Sequence, residues 1–231
     1  LQDIEHFVRL TDALENIHLP SRMVCALDVP ENVRHIAEAA AEVRNTEKPI
    51  LGGDVTRQNV LDILDVIEAV AGGEEQLRRW PLIAASACPV SPLEYDTGIT
   101  EALIEYAKRG IPCNMLNVTM AGATGPVTLA GTLVVANAEI LGGLTLLELI
   151  HPGLPILYGG SCGTLDQRTG ILLSGSPESA LLGAGTAALG RFYGFPSLAR
   201  GLSTVAKVPG DQACFEKTLT ALPSMLAGAN V

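Results

Sequence analysis

This sequence predicts an α/β fold of repeated strand–helix units, and three observations carry the prediction. Helical stretches with an apolar residue every third or fourth position alternate with short apolar runs along the whole chain. Six such runs begin near residues 22, 49, 81, 111, 154 and 196, so a unit recurs every 27 to 43 residues. The runs are apolar on both faces, as parallel strands covered by helices are. A doubly wound open sheet and a (β/α)₈ barrel both answer to this pattern. Six units behind an unpaired leading helix suit a TIM-type barrel without its first strands, since a full barrel needs eight units in about 250 residues. The chain opens at Leu1 rather than Met. Residues 1–231 are therefore expected to form a single partial barrel domain of a longer protein.

In chain order, the apolar spacing predicts a first helix over Gln2–Ile17 and a strand at Arg22–Asp28 (RMVCALD). A helix follows over Val33–Val43 and a strand over Pro49–Val55. The helix Gln58–Val70 puts Val60, Ile63, Leu64 and Ile67 on one face, with Asp62, Asp65 and Glu68 toward water. Next come a strand at Pro81–Ala87, a helix at Ile99–Arg109 closed by Gly110, and a strand at Ile111–Val118. A long helix over Pro126–Ile150 and a strand at Pro155–Gly160 follow. Ser176 as N-cap with Pro177 behind it opens a helix to Tyr193. Pro196–Thr204 is a strand and Asp211–Leu226 the last helix.

Charged residues make up 17% of the chain and hydrophobic ones 48%, the opposite of a disordered composition. With 25 acidic against 15 basic residues the net charge is −10, so nucleic acid and anionic membranes are poor partners. Cys25, Cys88, Cys113, Cys162 and Cys214 are odd in number and scattered without a CxxC pair. That argues against a disulfide framework and a structural zinc site, and for a reduced, cytoplasmic setting. No protein-bound metal is expected. Val127–Ile150 is long enough to span a bilayer, but Asn137 and Glu139 sit within it and no Lys or Arg flanks it, so it reads as a buried core helix.

In either architecture the active site lies beyond the carboxyl ends of the strands. The residues there are Asp28; Asp54, Thr56 and Arg57; Ser86, Cys88, Ser91, Glu94, Tyr95 and Asp96; Asn117, Thr119 and Met120; Tyr158, Ser161, Cys162, Thr164 and Asp166; and Ser203, Thr204 and Lys207. This rim is rich in carboxylates and poor in cations, which suits a cationic or polar substrate. Turn formation and helix capping explain many of the same residue types. Two loops are dense in small residues, Met120–Pro126 (MAGATGP) and Tyr158–Thr164 (YGGSCGT). Glycine lets a backbone approach a ligand closely, although neither loop has the Gly-Lys-Ser/Thr of a phosphate loop. Gly183–Ala188 fits GxGxxA but lies within a helix, where close packing accounts for it. The four histidines show no triad or HExxH spacing.

The segment Gly98–Gly160, with its string AGATGPVTLAGTL followed by ANAEIL, resembles the trimethylamine methyltransferase family. Matches continue through DQRTG (Asp166–Gly170), GSPE (Gly175–Glu178), LGRFYGFP (Leu189–Pro196) and DQACFEK (Asp211–Lys217), so the resemblance covers roughly Pro81 to Lys217. It implies a TIM barrel that moves a methyl group from a methylated amine, trimethylamine or a quaternary amine such as glycine betaine, to the Co(I) of a corrinoid (cobalamin) on a separate partner protein. The founding enzymes carry pyrrolysine, and none stands in these 231 residues. Relatives without it are thought to demethylate quaternary amines. Where Val205 stands, similar proteins tend to have an acidic residue, so one polar contact of the site is in doubt. The cofactor would carry the hard step, leaving the protein to position, stabilise a cation and exclude water. Carboxylates and aromatic faces would hold the cation, with Glu94, Tyr95, Tyr158 and Asp166 as the substrate-binding candidates. Asn117, Gly122, Thr124, Gly159, Gly160 and Ser161 are the candidates to face the corrinoid. The alternatives are an inactive relative that binds a ligand or the corrinoid protein, and a different barrel enzyme with a metal at Asp54 or Asp166. An open sheet edge on a partial barrel predicts self-association into a homo-oligomer.

Overall fold

The computed structural model describes residues 1–53 and 56–231. In chain order its elements are α1 (Gln2–Ala13), α2 (Glu31–Arg44), β1 (Ile50–Gly52), α3 (Arg57–Ala71), α4 (Glu74–Arg79), β2 (Ile83–Ala87), α5 (Thr97–Lys108) and β3 (Cys113–Asn117). They continue with β4 (Met120–Ala121), α6 (Leu129–Ile150), β5 (Ile156–Gly160), β6 (Gly163–Thr164), α7 (Pro177–Tyr193), β7 (Ser197–Ala199) and α8 (Asp211–Leu226). The structure is mixed α/β with parallel strands. It divides into two compact units, one of residues 1–87, 97–113 and 147–155, the other of residues 88–96, 114–146 and 156–231.

In the first unit β1 pairs in parallel with β2, Ile50 opposite Ile83 and Leu51 opposite Ala84. The predicted apolar face of α3 is the buried one, with Val60, Ile63, Leu64 and Ile67 all 3% exposed or less. Each such side chain contributes about 1.5–3 kcal/mol by leaving water. The Thr56 hydroxyl caps α3 by accepting the Asn59 N–H, and Gly72 ends it at φ +86. α1 lays Ile4 and Val8 against Ala26 and Ala41.

One predicted strand does not form. Arg22–Asp28 makes no ladder; its neighbour Ser21 makes a lone bridge to Leu51. Met23 and Leu27 point outward, 70% and 82% exposed. Side chains of α2 take the backbone groups a ladder would have used. Glu38 accepts the Ala26 N–H at 2.7 Å, and Arg34 donates to the Ala26 and Val29 carbonyls at 3.0 and 3.2 Å. A local hydrogen-bond competitor therefore outbids an apolar run of the right length.

In the second unit β3, β5 and β7 follow one another in the sheet, and β5 pairs in parallel with β7, Tyr158 opposite Ser197. β4 and β6 form a separate two-stranded parallel sheet. α7 begins as predicted, the Ser176 hydroxyl accepting the Ser179 N–H with Pro177 at the first helical position. Its GxGxxA is a packing feature. A Cβ on Gly183 would stand 2.6 Å from the Arg200 carbonyl oxygen, and one on Gly185 2.5 Å from Leu133 Cδ1. The helix α6 is long and apolar enough to cross a membrane by length and composition, and a third of its most apolar stretch is buried. Its predicted burial is thus partial: Ala136, Ile140 and Leu144 are inside, while Val134 is 69% exposed.

Candidate functional site

The carboxyl ends of β3 and β5, with the turn at residues 88–96 and the middle of α6, bring a set of polar side chains together inside the second unit. Glu139 on α6 is the hub and is 1% exposed. Its carboxylate accepts the Ser91 hydroxyl at 2.8 Å, the Leu93 N–H at 2.8 Å and the Thr119 hydroxyl at 3.3 Å. The Asn117 side-chain amide donates to it as well. Leu93 sits at φ +61, a conformation a leucine avoids by roughly 1 kcal/mol, and its bond to Glu139 holds it there. Val90 and Glu94 exchange backbone hydrogen bonds of 2.8 and 3.0 Å around that turn.

Asn117 ties several segments together. Beyond Glu139, its Oδ1 accepts the Thr119 N–H at 2.9 Å and the Cys162 thiol at 3.1 Å, and its carbonyl accepts the Ser161 N–H at 2.7 Å. Burial pushes the Cys162 thiol up to about 11, so it is protonated and unreactive at neutral pH. Glu139's charge pushes in the same direction and Arg200's in the opposite one. Arg200, the residue after β7, donates through Nε and Nη2 to the Ser161 carbonyl at 3.2 and 2.7 Å.

The two glycine-rich loops do meet: β4 and β6 lie within them, with Met120 opposite Gly163 and Ala121 opposite Thr164. Their small residues are used by the fold itself. Gly122 turns at φ +82 with its carbonyl accepting the Gln167 amide, and a Cβ there would collide with that amide. A Cβ on Gly159 would lie 2.8 Å from the Met115 carbonyl oxygen, and one on Gly160 2.5 Å from Thr186 Cγ2. The Thr124 hydroxyl accepts the Met120 N–H at 2.9 Å.

Of the four substrate-binding candidates, Tyr95 joins the Glu139 network, its hydroxyl donating to the Glu139 carbonyl. It enters beside Gly142, where a Cβ would stand 3.1 Å from the phenol oxygen. Glu94 is exposed at the end of its turn. Tyr158 is 1% exposed, donates to Asn137 Oδ1 at 2.8 Å and stacks on Tyr193 at 6.1 Å. Asp166 closes its own turn by accepting the Arg168 N–H at 3.0 Å and the Thr169 hydroxyl at 2.7 Å, bonds that hold its carboxyl below the usual range. Val205 gives its N–H to Glu216 at 2.8 Å. Asp54 lies outside the described residues. Among those described, no three His, Cys, Asp or Glu side chains gather as metal ligands would.

Sequence reasoning missed Glu139 and Arg200 as site residues. Glu139 had a visible signal, a carboxylate in the middle of a 22-residue apolar helix whose other acidic residue, Glu148, stands near its end. Arg200 had none, because it lies within the expected strand Pro196–Thr204.

The whole chain, residues 1–231, matches the family model described as trimethylamine methyltransferase (MTTB). It is 39% identical to the trimethylamine methyltransferase MttB of Desulfitobacterium hafniense over 230 residues, all of this chain and 46% of that protein. The protein of the same name from Methanosarcina barkeri is 41% identical over 99% of this chain and 47% of its own length. A glycine betaine methyltransferase of Desulfitobacterium hafniense is 36% identical over the full chain and 48% of its length. The chain spans about half the length of these relatives.

Proposed function

This chain belongs to the trimethylamine methyltransferase family, and from that membership we propose that the whole protein takes a methyl group from a methylated amine and passes it to the cobalt(I) of a corrinoid on a separate protein. The match along all 231 residues carries this reading. The proposed donor is trimethylamine or a quaternary amine such as glycine betaine, since relatives bearing both names align over this chain. The parallel pairing of β1 with β2 and of β5 with β7 supports a TIM-type barrel as the architecture. A cytoplasmic, self-associating protein is part of the same proposal.

The corrinoid supplies the nucleophile and the methylated ammonium supplies the leaving group, so the chain's own part is to bind, orient and exclude water. The second unit is suited to that part. Glu139 fixes the turn that carries Glu94 and Tyr95 to the end of β3, and Asn117 ties that end to Ser161 and Cys162. The strand ends that would line the mouth toward the corrinoid are therefore braced by side chains from three segments.

Cobalamin methylation by the purified protein with its corrinoid partner tests the reading across trimethylamine, glycine betaine, proline betaine and carnitine. At least one donor is expected to turn over. Binding without turnover by any of them would instead favour an inactive binding relative.

A further inference from the structure

The outward side of α7 carries apolar residues where a water-facing helix ordinarily carries charge. Its other sides are occupied. Toward the sheet, Thr186 lies against Gly160, and Gly190 lies against Tyr158. On one flank Leu133 of α6 packs at Gly185, and the Asn137 amide donates to the Tyr193 hydroxyl at 3.0 Å. On the other flank Ser224 of α8 packs at Gly183. What remains faces water. Leu181 is 59% exposed and Phe192 79%, and Ala188 is exposed between them. Positions 181, 188 and 192 recur at the spacing of one helical face.

The neighbouring helix continues the patch. Within the second unit α6 turns Ala130, Val134 and Ala138 outward, all exposed, and the half-buried Leu141 falls on the same face. Between Leu129 and Leu146 the one charged residue is Glu139, which is buried. α7 has Glu178 and Arg191 alone, near its two ends. A face about 25 Å long and two helices wide covers about 500 Å². Set against a copy of itself it buries about 1,000 Å² before side-chain relief is added, the size at which specific interfaces begin.

Three occupants compete for this face. Further strand–helix units of the whole protein would add to the sheet at its edges, and α7 already has a helix on each flank, so they do not cover it. The corrinoid protein has to meet the carboxyl ends of the strands. A partner exchanged at each turnover also ordinarily meets a smaller, more polar surface. A permanent partner of matching apolarity remains. Two-fold pairing of the patch with itself supplies one without a second kind of protein.

We propose that the outward face of α6 and α7 is the surface through which two copies of this chain pair about a two-fold axis. The proposal rests on the self-association reading above and is independent of the methyl-transfer one. It places the contact on intact helices instead of an open sheet edge.

Sedimentation velocity of the purified full-length protein tests it. The wild type is expected as a dimer or a multiple of dimers. Val134→Glu combined with Phe192→Glu should lower the mass, the buried unpaired charges raising the dissociation constant about 100-fold or more. Both positions face water, so the fold should survive, and an unchanged thermal melt by circular dichroism checks this. Val70→Glu in the first unit, at a residue 53% exposed, should leave the mass as it is. Dissociation by Val70→Glu as readily as by the double variant overturns the proposal. A wild-type monomer overturns it together with the self-association reading. An oligomer indifferent to the double substitution overturns this surface alone. Flotation of the wild type with phosphatidylcholine vesicles, lost in the double variant, would give the face to a bilayer and also overturn it. A further measurement keeps an aromatic ring in place. Benzoylphenylalanine at position 192 should, on irradiation, give covalent dimers cross-linked to α6 or α7 of the second copy. A cross-link mapped elsewhere, or none, overturns the proposal.

Discussion

In the first unit Glu105, 5% exposed, lies among three cations, accepting from Arg57 at 2.9 Å and Lys108 at 3.2 Å with Arg109 at 3.5 Å. In the second unit Glu139, 1% exposed, meets hydroxyls, an amide and a backbone N–H, and among the described residues no cation pairs with it. The first arrangement is an adhesive. Its cations reach in from the surface, Arg57 and Lys108 being 54% and 55% exposed, and join α5 to the start of α3. The second is a jig, because neutral donors with fixed directions determine where each segment stands to within hydrogen-bond tolerance. The unit that carries the candidate site thus spends its charge on orientation, and the other spends it on cohesion.

Glu139→Ala should break the comparison hardest. It strips the acceptor from Ser91, from the Leu93 N–H and from the Asn117 amide at once. At about 1–3 kcal/mol per buried group left unsatisfied, Asn117 and Thr119 chief among them, urea unfolding should show a loss of about 2 kcal/mol or more. Because no cation takes part, the loss should be the same at low and high salt. A loss under about 1 kcal/mol would mean that water replaces the carboxylate and that the network is no jig.

Glu105→Gln should cost less, about 1–2 kcal/mol, since pairs with half-exposed cations are worth about 0–1 kcal/mol each. Its cost should shrink in 1 M salt. Burial raises the Glu105 pKa, but the hydrogen bonds and charges of Arg57 and Lys108 outweigh it and hold the group below its ordinary 4.5. A folded value below the unfolded one adds stability that is present at neutral pH. That stability is lost as pH falls from about 4.5 through the depressed folded value. The variant should therefore show a flatter decline of the urea midpoint over this acid window. An unchanged slope would refute the pairing.

How legible all this was in the sequence follows the same division. Some elements whose signal is local were readable to within a residue or two, although α1 ends at Ala13 rather than Ile17 and β7 covers only Ser197–Ala199 of the expected strand Pro196–Thr204. α7 and α8 fall at their predicted bounds, because the Ser176-Pro177 start and the spacing around Asp211 need no partner. The buried face of α3 came from its period alone. Failures arose where a distant side chain decided. Arg22–Asp28 has a strand's composition, and only Glu38 and Arg34 convert it to a loop. β4 and β6 exist because two loops far apart in sequence pair with each other, and neither has a strand-length run. Candidate site residues divided likewise. Asn117, Ser161 and Tyr95 come together around Glu139, whereas Asp166 serves its own turn, a role the same residue type predicts equally well.

Glu42→Gln should have the smallest effect and the most informative sign. In the first unit the Arg22 guanidinium serves two buried carboxylates, donating to Glu38 with Glu42 at 3.5 Å, and both glutamates are 3% exposed. Burial raises the Glu42 pKa above its ordinary 4.5; the Arg22 charge opposes this and the Glu38 charge reinforces it. A folded value above the unfolded one gives stability that is full below about 4.5 and lost as pH rises through the raised folded value. Glutamine does not ionise and escapes that loss. The variant should match the wild type near pH 4 and exceed it at pH 7 by less than about 1 kcal/mol, with the difference opening between those values. A variant less stable at pH 7 would show that the contact with Arg22 outweighs burial. Cohesion by charge would then be complete in the first unit, with no surplus carboxylate left over from it.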